Sequence, residues 1–163
     1  LNANTAALVA RTLELFSISD SHIEQGLLNV VRNTNLKGRW QILQNVPKVI
    51  CDTAHNLEGL TIVLHQLNKE KFNRLHIVLG MVSDKKLHEV LPLFPKKAVY
   101  YFCQPEIPRA LPVQELELAA SSFGLKGEVF LTVNQAYNSA KDQALKGDVI
   151  YVGGSTFVVA EVL

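Results

Sequence analysis

Beyond residue 37 the chain alternates between short apolar runs and longer stretches whose apolar residues return every three or four positions. The runs at 39–43, 46–51, 75–79, 98–102, 128–133 and 148–152 have the length and the β-branched or aromatic content of strands. The stretches at 57–67, 85–94, 113–123 and 135–145 have helical spacing, and a closing apolar run covers 157–163. Pro112 precedes the 113–123 stretch and Gly124 follows it, as in a helix that starts on a fixed φ and ends on left-handed backbone. Continuous apolar strands separated by single helices predict βαβ units, because strands buried on both faces need helices above and below the sheet. The expected fold class is α/β, with a doubly wound, mainly parallel sheet flanked by helices.

Residues 1–36 read differently, as two helices preceding that sheet. Asn4 or Thr5 could cap the first, whose apolar side would carry Ala7, Leu8, Val9, Leu13 and Phe16. The second opens with Ser21-His22-Ile23-Glu24, a capping-box pattern, and Ile23, Leu27, Val30 and Val31 follow at helical spacing. The polar segment 33–38, NTNLKG, breaks the pattern. The expected division is therefore a helical part at 1–36 and an α/β domain at 37–163. Leu1 opens text that is already helical, so a segment upstream of it is expected.

Composition narrows the function classes. At 163 residues, 48% hydrophobic and 19% charged, the chain can bury one full core and does not resemble a disordered segment. A net charge of +1 with scattered Lys and Arg leaves no nucleic-acid footprint and no polybasic membrane anchor. No apolar stretch approaches the ~20 residues of a membrane span. A monomer in the cytoplasm is expected. Cys51 and Cys103 form no CxxC pair, and Cys51 lies in an apolar run, where a reduced, buried thiol is expected.

In an open parallel sheet, ligands bind beyond the carboxyl ends of the strands. Three of those ends carry polar clusters: Asp52-Thr53-Ala54-His55-Asn56, Gly80-Met81-Val82-Ser83-Asp84-Lys85 and Gly153-Gly154-Ser155-Thr156. Their convergence predicts one crevice. Each residue also has a plainer role available. Asp52 or Asn56 could cap the helix that follows, as could Ser83 or Asp84. The glycine pair could serve a tight turn, Arg39 could be a surface cation, and His22, His65, His76 and His88 fit as structural or solvent-facing residues. There is no GxxxxGK[ST] P-loop and no GxGxxG after a strand. A triad of Asp52, His55 and Ser155 lacks a G-x-S-x-G elbow, and a metal pair of Asp52 and His55 lacks a third ligand.

Gly38-Arg39-Trp40-Gln41, then Pro47, Ile50 and Asp52-Thr53-Ala54-His55-Asn56, resemble the G-R-x-Q … P … D-x-A-H-N signature of folylpolyglutamate and dihydrofolate synthases. Gly80 to Lys85 is similar to the family's G-M-x-x-D-K loop, Arg109-Ala110 to its R-A pair, and Gly154-Ser155 through Ala160-Glu161 to its terminal G-S-x-x-x-x-A-E. This family belongs with the Mur ligases. The resemblance implies an ATP-dependent ligase that adds L-glutamate to a folate through an acyl phosphate. Residues 1–36 would then be the helical end of a central ATPase domain and 37–163 the C-terminal glutamate-binding domain. The resemblance further implies ATP contacts from Arg39, Asp52 and Asn4 and glutamate contacts from His55, Asn56, Lys85 and Ser155. ATP and Mg2+ would be bound mainly by the missing N-terminal part, the domain's partner, and the fragment alone would be inactive. Leu1 replaces a family glutamine and Leu57 a frequent proline. Two rivals remain: the C-terminal domain of a peptidoglycan Mur ligase, and a stand-alone doubly wound binding or signalling module with Asp52 as phosphoacceptor.

Overall fold

The computed structural model describes residues 2–163. The chain divides into two compact units, Leu1–Lys37 and Gly38–Leu163.

The first unit holds three helices rather than two: α1 (Asn2–Arg11), α2 (Asp20–Leu28) and α3 (Val30–Thr34). Asn4 and Thr5 fall inside α1 instead of capping it. The capping box of α2 sits two residues earlier than the Ser21 pattern. Ser19 Oγ accepts from the His22 amide at 3.2 Å, and His22 Nδ1 accepts from the Ser19 amide at 3.3 Å. An imidazole nitrogen thus performs the reciprocal role usually given to Glu or Gln. Asn29 ends α2, its side chain bonded to the Gln25 carbonyl, and Asn35 ends α3 at a φ of 53°. No described side chain of these helices is buried.

The second unit is a six-stranded sheet of β1 (Gln41–Asn45), β2 (Lys48–Cys51), β3 (Leu75–Leu79), β4 (Val99–Cys103), β5 (Gly127–Phe130) and β6 (Val149–Gly153). The strand order is β1-β2-β6-β3-β4-β5. Every pair is parallel except β1 with β2, a hairpin at the sheet edge. The central strands β3 and β6 are buried at every position, which explains their unbroken apolar text.

Alternation along the strands feeds two layers. Ile50, Ile77, Leu79, Tyr100, Phe102 and Tyr151 point to one face, packed by α4 (Leu57–Leu67), α5 (Leu87–Val90) and α6 (Val113–Ser122). Val49, Cys51, Val78, Tyr101, Cys103, Ile150 and Val152 point to the other, packed by α7 (Val133–Gln143) and α8 (Thr156–Ala160). Both cysteines are free and buried, and burial pushes the Cys51 thiol up to about 11.

Local chemistry explains where boundaries shift. The expected 128–133 strand stops at Phe130, because Thr132 Oγ1 accepts from the Gln135 amide and starts α7 at Val133. The expected 85–94 helix shrinks to α5 and a 3-10 turn at Leu91–Leu93, where Pro92 has no amide to donate. Neither Ser83 nor Asp84 caps it; Lys86 stands at that position without a side-chain bond. Gly127 is required where β5 meets β4, since a Cβ there would lie 1.9 Å from the Tyr100 carbonyl oxygen.

Among the histidines, His22 belongs to the α2 cap, and His65 and His88 are exposed. His76 is fully buried, between the Tyr101 hydroxyl at 2.9 Å and Asp148 at 3.4 Å. Burial outweighs the Asp148 carboxylate and holds the imidazole below its ordinary range. Burial would raise the Asp148 carboxyl, but the Leu145 amide and His76 together hold it below its ordinary range. This cluster lies at the amino end of the sheet, away from the strand-end loops.

Candidate functional site

The loop after β2 is held by Asp52. Its Oδ2 accepts from the Trp40 amide at 2.7 Å and its Oδ1 from the Ala54 amide at 2.8 Å. Thr53 donates its amide to the Gly38 carbonyl at 2.8 Å, so the Gly38-Arg39-Trp40 turn is fastened to this loop. Gly38 has a φ of 67°, and a Cβ there would come within 2.7 Å of Thr53 Cγ2. Arg39 therefore projects into solvent from a fixed turn. Asp52 is 5% exposed, with both oxygens engaged. That geometry removes it as a helix cap and as a free phosphoacceptor.

Asn56 is the cap of α4, its Oδ1 accepting from the Gly59 amide at 2.9 Å. His55 is exposed, with Nδ1 3.0 Å from the Thr53 carbonyl. A carbonyl can only accept, so Nδ1 carries the proton, and in the neutral ring Nε2 is left as a bare acceptor. His55 does not bond Asp52, and the Ser155 hydroxyl accepts from the Phe157 amide at 3.2 Å. No hydrolase triad is assembled from the three.

The loop after β3 is braced by the loop after β4. Val82 and Ala110 form an antiparallel bridge, and Ser83 donates to the Arg109 carbonyl through both its amide, at 3.0 Å, and its hydroxyl, at 3.2 Å. Leu111 closes the brace by donating to the Met81 carbonyl at 3.0 Å. After β6, Gly154 turns the chain at a φ of 92°, where a Cβ would meet Leu79 Cδ1 at 2.6 Å, and Ser155, 2% exposed, opens α8.

These loops enclose a cleft of about 250 Å3, lined by His55, Val82, Asp84, Lys85, Arg109, Ser155, Thr156 and Phe157. It lies below the roughly 300–1,000 Å3 of sites for drug-sized ligands and suits a smaller molecule. A second hollow of about 240 Å3 adjoins it, shares His55, Asp84 and Lys85, and adds Asn56 and Glu58. Three of the four residues expected at an amino-acid site, His55, Lys85 and Ser155, thus share one cleft, and Asn56 lines its neighbour. Arg39 and Asp52 lie together but outside both hollows. Asn4 belongs to the helical unit.

Sequence reasoning missed Arg109 as a site residue, although its Arg-Ala pair is visible. Its guanidinium lies 5.0 Å from the Phe157 ring centroid and 3.9 Å from an Asp84 oxygen. The cleft therefore presents two cations, Lys85 and Arg109, against one carboxylate. Among the described residues, no group of three or more His, Cys, Asp or Glu side chains could hold a metal ion, and no helix is long and apolar enough to cross a membrane.

A cationic cleft above the carboxyl ends of a doubly wound sheet agrees with what known proteins show. Residues 38–156 match the family described as Mur ligase, glutamate ligase domain. The dihydrofolate synthase/folylpolyglutamate synthase of Escherichia coli K12 is 32% identical over 99% of this chain and 37% of its own length. The solved structure of E. coli FolC in complex with DHPP and ADP superposes with a TM-score of 0.86, at 29% identity, covering 99% of this chain and 37% of that one. A bifunctional folylpolyglutamate synthase/dihydrofolate synthase solved with Mn, AMPPNP and L-glutamate bound gives 0.83 at 29% identity, covering 99% and 38%. The chain spans 19% to 39% of the length of the curated relatives it matches. With the fold, the cleft and the matched residues in agreement, the chain belongs to the Mur ligase family and carries its glutamate ligase domain.

Proposed function

We propose that this chain is the C-terminal part of an ATP-dependent ligase that adds L-glutamate to a folate, and that the cleft receives the glutamate. The observation that carries the reading is the meeting of His55, Lys85 and Ser155, from three separate strand ends, in one cationic cleft. A dianionic amino acid needs such partners, since charge-assisted hydrogen bonds are roughly twice as strong as neutral ones. His55 Nε2, bare in the neutral ring, would accept from the substrate's ammonium group. Lys85 would pair with a carboxylate, while Ser155 and Asn56 shape the loops at the site.

Arg39 and Asp52 would meet the nucleotide. The exposed Arg39 guanidinium suits the phosphates, and the free lone pairs of Asp52 suit ribose hydroxyls, beside the turn that the same carboxylate holds. Asn4 would contact the adenine. Residues 1–36 would complete a central ATPase domain, and the rest of the ligase would hold Mg2+, the triphosphate and most of the folate. ATP would supply a phosphoryl group to the folate carboxylate, giving an acyl phosphate that the glutamate amine attacks, with release of ADP and phosphate. Positioning and electrostatics supply most of the catalysis in such transfers, so these 163 residues alone would be inactive.

Steady-state kinetics of the complete ligase test the assignment. His55→Ala is expected to raise the KM for L-glutamate with that for ATP unchanged, and Asp52→Ala to do the reverse. Each loss is about tenfold to a hundredfold, the worth of one charge-assisted hydrogen bond. Wild-type glutamate kinetics in His55→Ala would move the amino-acid site elsewhere, and an unmoved ATP dependence in Asp52→Ala would remove that residue from the nucleotide.

A further inference from the structure

We infer that Arg109 reads the side-chain carboxylate of the incoming amino acid and thereby sets the preference for a dicarboxylic over a neutral substrate. The inference rests on the cleft being the amino-acid site.

Four observations lead to it. First, the backbone at Arg109 is fixed: its carbonyl takes two bonds from Ser83, and Ala110 and Leu111 are tied to Val82 and Met81. Second, the guanidinium lies against the Phe157 ring, 5.0 Å from its centroid, so its approach to the cleft is set by a packed surface. An arginine so held presents a rigid fork that matches a carboxylate in two bonds, which a lysine cannot do. Third, its charge is weakly satisfied. Asp84, at 3.9 Å, is beyond hydrogen-bonding distance, and the two side chains are 60% and 61% exposed. A ligand carboxylate can replace that contact with a shorter one.

The fourth observation is the strand order, which says which carboxylate. Arg39 and Asp52 belong to the β1–β2 edge, and the order from there runs β2, β6, β3, β4. The loops at the cleft follow the same order: His55 after β2, Ser155 after β6, Lys85 after β3 and Arg109 after β4. The reacting amine must face the phosphoryl-bearing partner, on the nucleotide side. The α-carboxylate is attached next to the amine, so the far end, at Arg109, falls to the distal carboxylate.

The test compares L-glutamate with L-glutamine, a near-isostere without the distal charge, in the complete ligase. Glutamine is measured as a substrate or, where turnover is undetectable, as a competitive inhibitor. Arg109→Ala is expected to raise the KM for glutamate roughly 10- to 100-fold, with kcat and the KM for ATP little changed and glutamine unaffected. The preference for glutamate then collapses. Arg109→Lys is expected to restore part of it, since charge is kept and the fork is lost. A parallel loss for both amino acids would place Arg109 on the α-carboxylate or give it a purely structural role, and either overturns the inference. No change in Arg109→Ala alongside a raised glutamate KM in His55→Ala would also overturn it while leaving the cleft as the amino-acid site. No effect from either variant would defeat the reading of the cleft itself.

Discussion

The two units of this chain answer the hydrophobic effect in opposite ways. In Gly38–Leu163 the sheet is covered on both faces, and strands β3 and β6 are buried at every position. In Leu1–Lys37 the helices bury no described side chain, and Leu15 is 92% exposed. Phe16, Leu28 and Val31 are exposed as well. Amphipathic helices draw most of their stability from packing an apolar face, because isolated helices shorter than about 12–15 residues are marginal in water. The longest of these three has 10 residues. The comparison separates a unit with its own core from one whose local signals, caps and spacing, are intact but lack a core to serve.

Truncation by alanine should show the largest contrast. Ile77, fully buried in β3, is expected to cost about 2–5 kcal/mol as Ile77→Ala, the usual range for emptying a core position. Leu15→Ala should fall within about 0.5 kcal/mol, as for a surface site. Urea denaturation followed by circular dichroism measures both. A large loss from Leu15→Ala in the isolated chain would mean the helical unit has a core after all.

Acid should then act on the sheet unit through His76 and Asp148. Both are held below their ordinary values in the folded chain. The unfolded chain therefore binds more protons, and stability rises with pH wherever that holds. For His76 the loss begins as pH falls through about 6.5, its unfolded value, and for Asp148 it begins near about 3.9. Each proton contributes at most about 1.4 kcal/mol per pH unit. Melting temperatures between pH 8 and pH 5 should decline, and His76→Gln should flatten the decline. An unchanged slope in that variant would assign the acid sensitivity to another group.

The smallest expected effect tests the helical unit by its own local signal. Ser19→Ala removes the oxygen that accepts from His22, at a cost of about 1 kcal/mol of helix stability. Helicity of a peptide covering residues 17–35, compared with the same peptide carrying the change, reads it directly. Equal helicity would mean the capping box has no energetic role.

Legibility followed burial. The unbroken apolar text of β3 and β6 and the spacing of α4 located those elements because core packing leaves few alternatives there. The edges were less readable. The hairpin sense of β1 depends on pairing with β2 alone, and the start of α2 depended on which serine, 19 or 21, supplies the cap. At the site, His55, Lys85 and Ser155 were legible because they follow buried strands. Arg109 was not, since the segment after β4 carries Pro105 and Pro108 and looks like a plain connection. Its place in the cleft is fixed by the Val82–Ala110 bridge, a contact between residues 28 positions apart that no local pattern announces.

That bridge has a consequence for anyone altering the specificity of this cleft. Because Met81, Val82 and Ser83 are laced to Arg109, Ala110 and Leu111 through the backbone, the two segments are one mechanical part made from two stretches of gene. A graft that exchanges either stretch alone would break the seam and misplace Arg109 without touching its codon. Libraries that recombine homologous ligases should therefore place no crossover between residues 81 and 111.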